Sequence, residues 1–262
     1  MFKLASFTDE ISQDFELAAN TCLEYGVEGL EIRSVWNKPN HELTDDDCKR
    51  HITILKNCIA LGKKFDCSIV RAFTFWRHTE DLSQVWNKIK DRFGPALDII
   101  DKEKATLAIE NENSTYLGGG TVTAKFIDEL KHPNVKAIWD PLNALADKRQ
   151  CEKPFPNDYE GIKPHVVHVH MKDGYYDWEK KALVITPMGV GEIGWDEHFK
   201  ALVRDGYTGY VSLETHWRHK TSLTDEQKNQ PGGTAFSASG EYASRVCLDN
   251  TDAILRRIGL RK

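Results

Sequence analysis

Short β-prone runs that end at a carboxylate or an imidazole recur along this 262-residue chain, and their regular spacing is its most constraining feature. Four such runs end at Glu110, Asp140, His170 and Glu214. The first three of these residues lie 30 residues apart, and 44 residues separate the last two. A strand–helix–strand repeat occupies about 30 residues, so the spacing predicts successive strands of a parallel sheet, with a longer connection before the last one.

The run that ends at His170 has the two-residue period of a β-strand. Val167, Val169 and Met171 would occupy one face, and His168, His170 and Lys172 the other. A neutral imidazole ligates divalent cations but cannot hold one alone. The carboxylates that end the other runs are therefore candidate partners of a histidine on this strand.

Strands that alternate with helices at this period form a parallel sheet that is either closed into a barrel or open and doubly wound. Polar residues at several strand ends favour the barrel, whose chemistry lies at the carboxyl ends of its strands. No G-x-G-x-x-G motif follows the first predicted strand, 2–7, which disfavours an open dinucleotide-binding sheet. The length is close to the roughly 250 residues of one eightfold β/α barrel, so we expect a single α/β domain over residues 1–262.

Composition excludes several classes of partner. A net charge of −5 argues against nucleic acid, whose binding draws on clustered positive charge. The chain has no apolar run of about 18 residues, so no membrane span is expected. Residues 1–9 turn polar too early for a signal peptide. We therefore expect a cytoplasmic protein, and its six cysteines, which form no C-x-x-C pair, are expected to be reduced.

Three stretches between the predicted strands carry further signals. Thr44 and Asp47 form a candidate capping box for a helix that ends near Gly62. Residues 173–194 have few regular signals and are predicted to form a long loop at the rim. Residues 218–238 are polar and contain a Pro-Gly-Gly sequence, so they are predicted to form an excursion before a terminal helix.

Five ordered motifs resemble the xylose isomerase-like TIM barrels, which include sugar phosphate isomerases and epimerases, ketose 3-epimerases, inosose dehydratases and the AP endonuclease 2 superfamily. The motifs are LAIEN at 107–111, WDPLN at 139–143, HVHMKD at 168–173, PMGVGE at 187–192 and VSLETH at 211–216. The resemblance runs from residues 29–33 to the C-terminal helix and so covers most of the chain.

The resemblance implies that Glu110, Asp140, His170 and Glu214 bind one divalent metal ion at the ends of strands five to eight. In related epimerases the two metal-bound glutamates also exchange protons with the two faces of the reacting carbon, which implies that Glu110 and Glu214 act as the acid/base pair. Three carboxylates and one imidazole suit Mn²⁺ or Mg²⁺, with Zn²⁺ or Co²⁺ as alternatives. Such an ion stabilises the enediolate of a ketose.

Six further residues are candidates for contacts with the hydroxyls or the phosphate of a sugar or polyol substrate: Glu31, Arg71, Glu112, Asn143, Lys172 and His216. Other interpretations stay open. Glu31 and Arg71 could pair with each other, and His168 is predicted to be a hydrogen-bonded inner-face residue rather than a ligand. A single carboxylate at a strand end is more often a loop residue or a helix N-cap.

The chain departs from the family in two places. Many relatives carry histidine three residues after the aspartate, where this chain has Asn143. Relatives also have a strand and a helix before the strand at 70–76, whereas the interval near 34–62 leaves room for one helix. We therefore expect an irregular (β/α)8-type TIM barrel with about seven clear strands and one βα unit shortened or missing. A partner chain could close that gap, so a homodimer is one expectation.

Three functions remain compatible with the sequence. The first is a metal-dependent isomerase or epimerase of a free or phosphorylated sugar. The second is a lyase that dehydrates a keto-inositol or a similar polyol at the same site, and a non-catalytic sugar-binding barrel is a further alternative. Apurinic endonuclease activity is disfavoured because those barrels need three metals, more histidine ligands and a basic DNA-binding face.

Overall fold

The structure, a computed structural model, describes residues 1–33, 44–78, 81–148, 150, 153–224, 227 and 233–262. The chain forms two compact units. The first unit comprises Met1–Pro39 and His168–Lys262, and the second comprises Asn40–Val167. The single-domain organisation expected over residues 1–262 stays a prediction.

The first unit is built on a parallel sheet. Its strands are β1 (Lys3–Phe7), β2 (Gly29–Glu31), β9 (Tyr210–Leu213) and, from His168 onward, β6 (Val166–Met171). They run in the order β2–β1–β9–β6. The register places Ser212 between Ala5 and His170, so these three side chains point to the same face. Phe7 ends β1 and is fully buried.

Helices connect and cover these strands. They are α1 (Thr8–Ile11), α2 (Phe15–Glu24), α8 (Trp195–Arg204), α9 (Gly233–Phe236) and α10 (Gly240–Arg257). Asp14 caps α2, because Oδ1 of its side chain accepts hydrogen bonds from the backbone N–H of Glu16 (2.9 Å) and Leu17 (3.2 Å). A Cβ atom on Gly240 would lie 2.0 Å from the backbone oxygen of Glu10, so glycine is required where α10 meets α1.

Two hairpins replace stretches that were predicted to be irregular. The rim loop expected at 173–194 is wrong in part, because β7 (Asp173–Asp177) and β8 (Ala182–Thr186) pair antiparallel. The turn between them places Lys181 at φ 51°. Glycine or asparagine usually occupies that conformation, so a lysine at this position is not a hairpin signal. A second hairpin joins β10 (Trp217–Arg218) to β11 (Thr221–Ser222) within the predicted excursion.

The second unit has a parallel sheet of its own. Its strands are β3 (Ile69–Ala72), β4 (Thr106–Glu110) and β5 (Val135–Trp139), with β4 in the middle. Its helices are α3 (Asp45–Lys64), α4 (Leu82–Glu103), α5 (Gly120–Leu130), α6 (Pro141–Ala146) and α7 (Tyr159–Ile162). Apolar side chains of β4, α4 and α5, such as Ile109, Ile89 and Phe126, are fully buried and form the core of this unit.

The structure confirms that Thr44 is the N-cap of α3, as the predicted capping box requires. Its hydroxyl accepts from the backbone N–H of Asp47 at 3.3 Å, and the helix ends at Lys64, two residues beyond the predicted Gly62. The βα unit is predicted to be shortened or missing near 34–62, and residues 34–43 of that interval lie outside the described residues. Seven strands take part in parallel pairs in the described part of the chain, as predicted.

None of the helices in the described ranges combines the length and the apolar composition that a membrane crossing needs.

Candidate metal and acid/base site

The four predicted metal ligands all lie at carboxyl ends of parallel strands, and all four are buried. Glu110, Asp140 and His170 are 0% exposed and Glu214 is 2% exposed. Glu110 ends β4, Asp140 follows β5, His170 is the penultimate residue of β6, and Glu214 follows β9. Burial of a carboxylate is unfavourable unless charged or hydrogen-bonding groups compensate it, so the partners of each group define its chemistry.

In the second unit, Glu110 is held by two side chains. The guanidinium of Arg71, on the neighbouring strand β3, forms an ion pair with Oε2. The amide nitrogen of Asn143, on α6, donates to Oε1 at 3.2 Å. The structure thus brings three predicted site residues together, and Arg71 pairs with Glu110. The predicted contact of Arg71 with substrate stays a prediction.

Asn143 also joins Glu110 to Glu112. Its amide nitrogen lies 3.1 Å from Oε2 of Glu112 and 3.0 Å from the backbone oxygen of Asn111. Oε1 of Glu112 accepts from the N–H and the hydroxyl of Ser114. An amide at position 143 therefore bridges two carboxylates, and it can do so without adding charge.

Asp140 has a structural role as well as its predicted one. Its Oδ1 accepts from the backbone N–H of Leu142 and Asn143, both at 2.9 Å, and so caps α6. Asn111 fixes the backbone on the other side, because its side chain accepts from the N–H of Asp140 and donates to its carbonyl, both at 2.8 Å. The N-cap interpretation of this carboxylate is thus correct, and the cap sets the orientation of the side chain.

In the first unit, His170 is hydrogen-bonded to Glu31 across the sheet. Nε2 of His170 lies 3.0 Å from Oε1 of Glu31, and Nε2 of His168 lies 2.9 Å from Oε2. The prediction that His168 is a hydrogen-bonded inner-face residue is confirmed. The side chain of Glu31 is 16% exposed. Burial would raise the pKa of this carboxyl, but electrostatic attraction to His170 and His168 outweighs burial and holds the pKa well below 4.5.

Glu214 is enclosed by two cations of the same unit. Nζ of Lys172 lies 2.6 Å from Oε2, and Nη2 of Arg33 lies 3.1 Å from Oε1. The side chains of Lys172 and Arg33 are only 6% and 7% exposed. Two buried cations therefore compensate the charge of this carboxylate inside the protein.

Sequence reasoning missed Glu10, which is fully buried near the end of α1 and contacts two guanidinium groups and one imidazole. Its carboxylate lies 2.6 Å from Nη2 of Arg33, 3.0 Å from Nη2 of Arg218 and 2.9 Å from Nδ1 of His216. Burial raises the pKa of Glu10, but His216, Arg33 and Arg218 together lower it from 4.5 to about 2. His216, a predicted substrate contact, is thus held by Glu10, and its contact with substrate stays a prediction.

Two clusters within the first unit have the composition of cation sites. Ligand atoms of Glu31, His168 and His170 lie within 4.8 Å of one another, and so do those of Glu10, Glu214 and His216. In the second cluster, Glu10 is already paired with Arg33 and Arg218, so this carboxylate has little charge left for a cation. The first has distances of 2.9 and 3.0 Å, which are ordinary for hydrogen bonds between imidazoles and a carboxylate.

Comparison with known families gives one match. The family described as xylose isomerase-like TIM barrel matches residues 10–238. This range contains every predicted ligand and acid/base residue, and the predicted substrate contacts as well. A comparison with curated protein sequences gives no match.

Solved structures with the same fold cover almost the whole chain. An L-ribulose 3-epimerase has a TM-score of 0.75 at 14% identity, with 99% of this chain and 96% of that chain covered. The IOLI protein with a binding zinc atom has a TM-score of 0.72 at 16% identity, with 98% and 99% covered. The probable 3-DHS dehydratase AsbF from Bacillus anthracis has a TM-score of 0.69 at 15% identity, with 95% and 98% covered. These likenesses show an α/β fold of the TIM-barrel type, as predicted.

Proposed function

The chain belongs to the xylose isomerase-like TIM barrel family, and on that premise we propose that it is an isomerase or epimerase of a sugar or sugar phosphate that depends on one divalent metal ion. The metal ligands in this proposal are Glu110, Asp140, His170 and Glu214. Support comes from the burial of all four side chains at the ends of parallel strands. It also comes from a solved structure of the same fold, the IOLI protein with a binding zinc atom.

The donor set fits a hard divalent cation. Three carboxylates and one imidazole supply oxygen and nitrogen without sulfur, which suits Mn²⁺ or Mg²⁺ and also accommodates Zn²⁺ or Co²⁺. Two of the donors are held by hydrogen bonds in a set orientation, Asp140 by the N-terminus of α6 and His170 by Glu31. When bound, the ion would supply positive charge that stabilises the enediolate of the substrate.

The chain's own residues would move the proton. In the proposal Glu110 and Glu214 are the acid/base pair, one removing a proton from carbon and the other returning it. The observation that carries this assignment is that each of the two glutamates is a buried carboxylate held by a cation, Glu110 by Arg71 and Glu214 by Lys172. Fixed partners keep such a group at a set position, and misplacement by about 1 Å can reduce the rate about 100-fold.

Substrate contacts come second in the proposal. Glu112 and Asn143 lie beside Glu110, and Lys172 lies beside Glu214, so these three side chains are the nearest candidates for hydroxyl or phosphate groups of a ketose or polyol. Glu31, Arg71 and His216 each pair with a buried side chain in the structure. They complete the proposed set as residues that hold the others in place.

Exchange of carbon-bound hydrogen is the sharpest test of the proposed reaction. Wild-type protein loaded with Mn²⁺ is incubated in D₂O with a panel of ketoses and ketose phosphates, and deuterium at carbon is followed by NMR. We expect wash-in with at least one member of the panel. Glu110→Gln and Glu214→Gln should each reduce its rate by about 10²- to 10⁴-fold, the usual contribution of a general acid or base. Glu197→Gln, at a glutamate whose side chain is 62% exposed, is the matched control and should leave the rate unchanged.

Dehydration is the second candidate, because one structure with the same fold is a probable 3-DHS dehydratase. The same samples are therefore tested for loss of water from keto-inositols and related polyols. If a dehydrated product forms and no epimer or isomer is found, the protein is a lyase rather than an isomerase or epimerase. Sugar binding without exchange or dehydration, unaffected by either glutamine substitution, would favour a non-catalytic sugar-binding barrel.

The partners in this proposal are a sugar or polyol and, as an assembly, a second copy of the chain. Nucleic acid and membranes are not part of it. Sedimentation velocity of the purified protein tests the homodimer, which predicts a species of twice the chain mass at micromolar concentration. A monomer throughout that range would contradict it.

A further inference from the structure

Glu31 is the side chain that links the two histidines of β6. One of its oxygens lies 3.0 Å from Nε2 of His170 and the other lies 2.9 Å from Nε2 of His168. Strand β2, which Glu31 ends, is separated from β6 by β1 and β9, so the carboxylate reaches across the inner face of the sheet. Both oxygens are engaged by imidazoles, which leaves this residue better suited to holding them than to meeting a substrate.

The hydrogen bond to Glu31 selects one tautomer of His170. An ionised carboxylate only accepts hydrogen bonds, so the imidazole nitrogen that faces it must carry the proton. A neutral imidazole carries one N–H, and a proton on Nε2 leaves the lone pair on Nδ1. That nitrogen is the one that could ligate a cation, since a ligating histidine commonly donates its other N–H to a carboxylate.

Packing holds the same ring in place. The ring of Phe7 meets the ring of His170 edge to face at 5.1 Å, and the ring of His168 meets it at 5.2 Å with an interplanar angle of 83°. Phe7 is fully buried, and the guanidinium carbon of Arg33 lies 4.3 Å from the centre of the Phe7 ring. Rotation of His170 would therefore disturb Phe7 as well as break its bond to Glu31.

We infer that Glu31 is a positioning residue for the metal ligand His170, fixing its tautomer and ring orientation, and that His168 in turn positions Glu31. This inference rests on the proposed function, because it gives His170 the role of a ligand. Glu31, which was a predicted substrate contact, becomes a residue that holds a metal ligand through a hydrogen bond. Loss of such a partner typically weakens metal affinity by about 10- to 100-fold.

Metal binding and the tautomer are measured separately. Metal-free wild type, Glu31→Gln, Glu31→Ala and His168→Gln are titrated with Mn²⁺ by calorimetry and by EPR of the free ion. ¹⁵N NMR of the histidine rings, assigned with His170→Gln, reports the protonated nitrogen of His170 without metal. We expect one ion per wild-type chain, a loss of affinity of about 10- to 100-fold in both Glu31 variants, and a proton on Nε2 of His170 in the wild type.

Asp128→Asn is the matched control. Asp128 also pairs with an imidazole, Nε2 of His165 at 3.0 Å, but neither residue belongs to the proposed site. This variant should bind Mn²⁺ as the wild type does. His168→Gln keeps a donor towards Glu31 and should weaken binding less than Glu31→Gln.

The outcomes separate this inference from the proposed function. If the wild type and both Glu31 variants bind one ion with equal affinity, Glu31 does not position His170, while the metal proposal stands. If the wild type binds no divalent ion, the proposed function fails and the inference with it. Two ions per wild-type chain, with one lost in Glu31→Ala, would make Glu31 a ligand and overturn the positioning role. A proton on Nδ1 of His170 in the wild type would overturn it even if no variant folds.

Discussion

The ammonium of Lys172 lies 2.6 Å from Oε2 of Glu214, and the two side chains are only 6% and 3% exposed. Lys200 and Glu197 form a pair of similar length, 2.8 Å, but their side chains are 51% and 62% exposed. Water screens the exposed pair and is excluded from the buried one. The buried Lys172–Glu214 pair should therefore contribute more to the free energy of unfolding than the exposed Lys200–Glu197 pair.

Lys172→Met is expected to lower the free energy of unfolding by about 3 kcal/mol, the low end of the range for breaking a buried ion pair, because Arg33 still compensates Glu214 at 3.1 Å. Lys200→Met should lower it by less than about 1 kcal/mol. Urea unfolding of metal-free protein measures both. Equal effects of the two substitutions would show that burial does not govern the Lys172 pair.

Arg71→Met tests whether this guanidinium serves Glu110 or the substrate. A partner of Glu110 should act on kcat, with a loss of about 100-fold from misplacement of the carboxylate and little change in KM. Arg71→Lys should recover part of the loss. A rise in KM with kcat unchanged would instead place Arg71 on the substrate.

Arg77→Met is the control for the Arg71 variants. Arg77 forms a buried ion pair with Asp147 in the same unit, at 2.6 Å, and has no place in the proposed site. Its loss should destabilise the fold while leaving kcat unchanged. If kcat falls equally in both variants, the effect of Arg71 on turnover reflects general destabilisation.

The sequence predicted the strand ends well because their pattern is local. Each of Glu110, Asp140, His170 and Glu214 follows or ends a short apolar run, and all four are buried as that placement requires. His168, predicted from the two-residue period of its strand to share a face with His170, is hydrogen-bonded to the same carboxylate, Glu31.

Partners that are distant in the chain could not be predicted in this way. Glu10 and Arg218 are 208 residues apart, and no local pattern marks either residue as a member of a buried network. For the same reason the sequence leaves open a pair between Arg71 and Glu31. In the structure Arg71 pairs with Glu110, 39 residues away, and Glu31 with His168 and His170.

The Glu10 network predicts a pH dependence of stability. The pKa of Glu10 is about 2 in the folded protein, against the ordinary value of 4.5 that applies in the unfolded chain. Because the folded value is the lower one, the stabilisation is fully present above about pH 4.5 and is lost as the pH falls towards 2. Its size at neutral pH is about 3 kcal/mol, from about 1.4 kcal/mol for each unit of the shift.

Glu10→Gln isolates this contribution. At pH 7 the variant should unfold with about 3 kcal/mol less free energy than the wild type, and the difference should shrink as the pH is lowered from 5 to 3. Denaturant unfolding at a series of pH values gives the difference directly. A difference that stays constant over this range would show that the charge of Glu10 is not its cause.

Asp173 holds the start of the hairpin β7–β8 and the turn that follows the hairpin through hydrogen bonds to the backbone. Its carboxylate accepts from the backbone N–H of Gly174, Gly189, Gly191 and Ile193, at 2.8 to 3.4 Å. Asp173→Asn turns one acceptor oxygen into a donor that faces N–H groups. We expect a loss of about 2 kcal/mol in unfolding free energy, and faster hydrogen exchange at the amides of Gly189 and Gly191.

Asp177→Asn is the comparison for that variant. Asp177 lies at the end of β7 and accepts from the backbone N–H of Glu179 and Lys180 in the exposed turn. Its substitution should leave the exchange of Gly189 and Gly191 unchanged. If exchange at these two amides is as slow in Asp173→Asn as in the wild type, the carboxylate does not order this turn.

In the proposal, four side chains from distant parts of the chain bind one divalent cation. Metal-free protein is dialysed to equilibrium against Mn²⁺ and the bound metal is determined by elemental analysis, in the wild type and in Glu110→Gln, Asp140→Asn, His170→Gln and Glu214→Gln. We expect one ion per wild-type chain. Each variant should bind with an affinity lower by about 100-fold or more, a greater loss than removal of a residue that only positions a ligand usually causes. A wild type without bound ion, or full affinity in any of the four variants, would overturn the proposal.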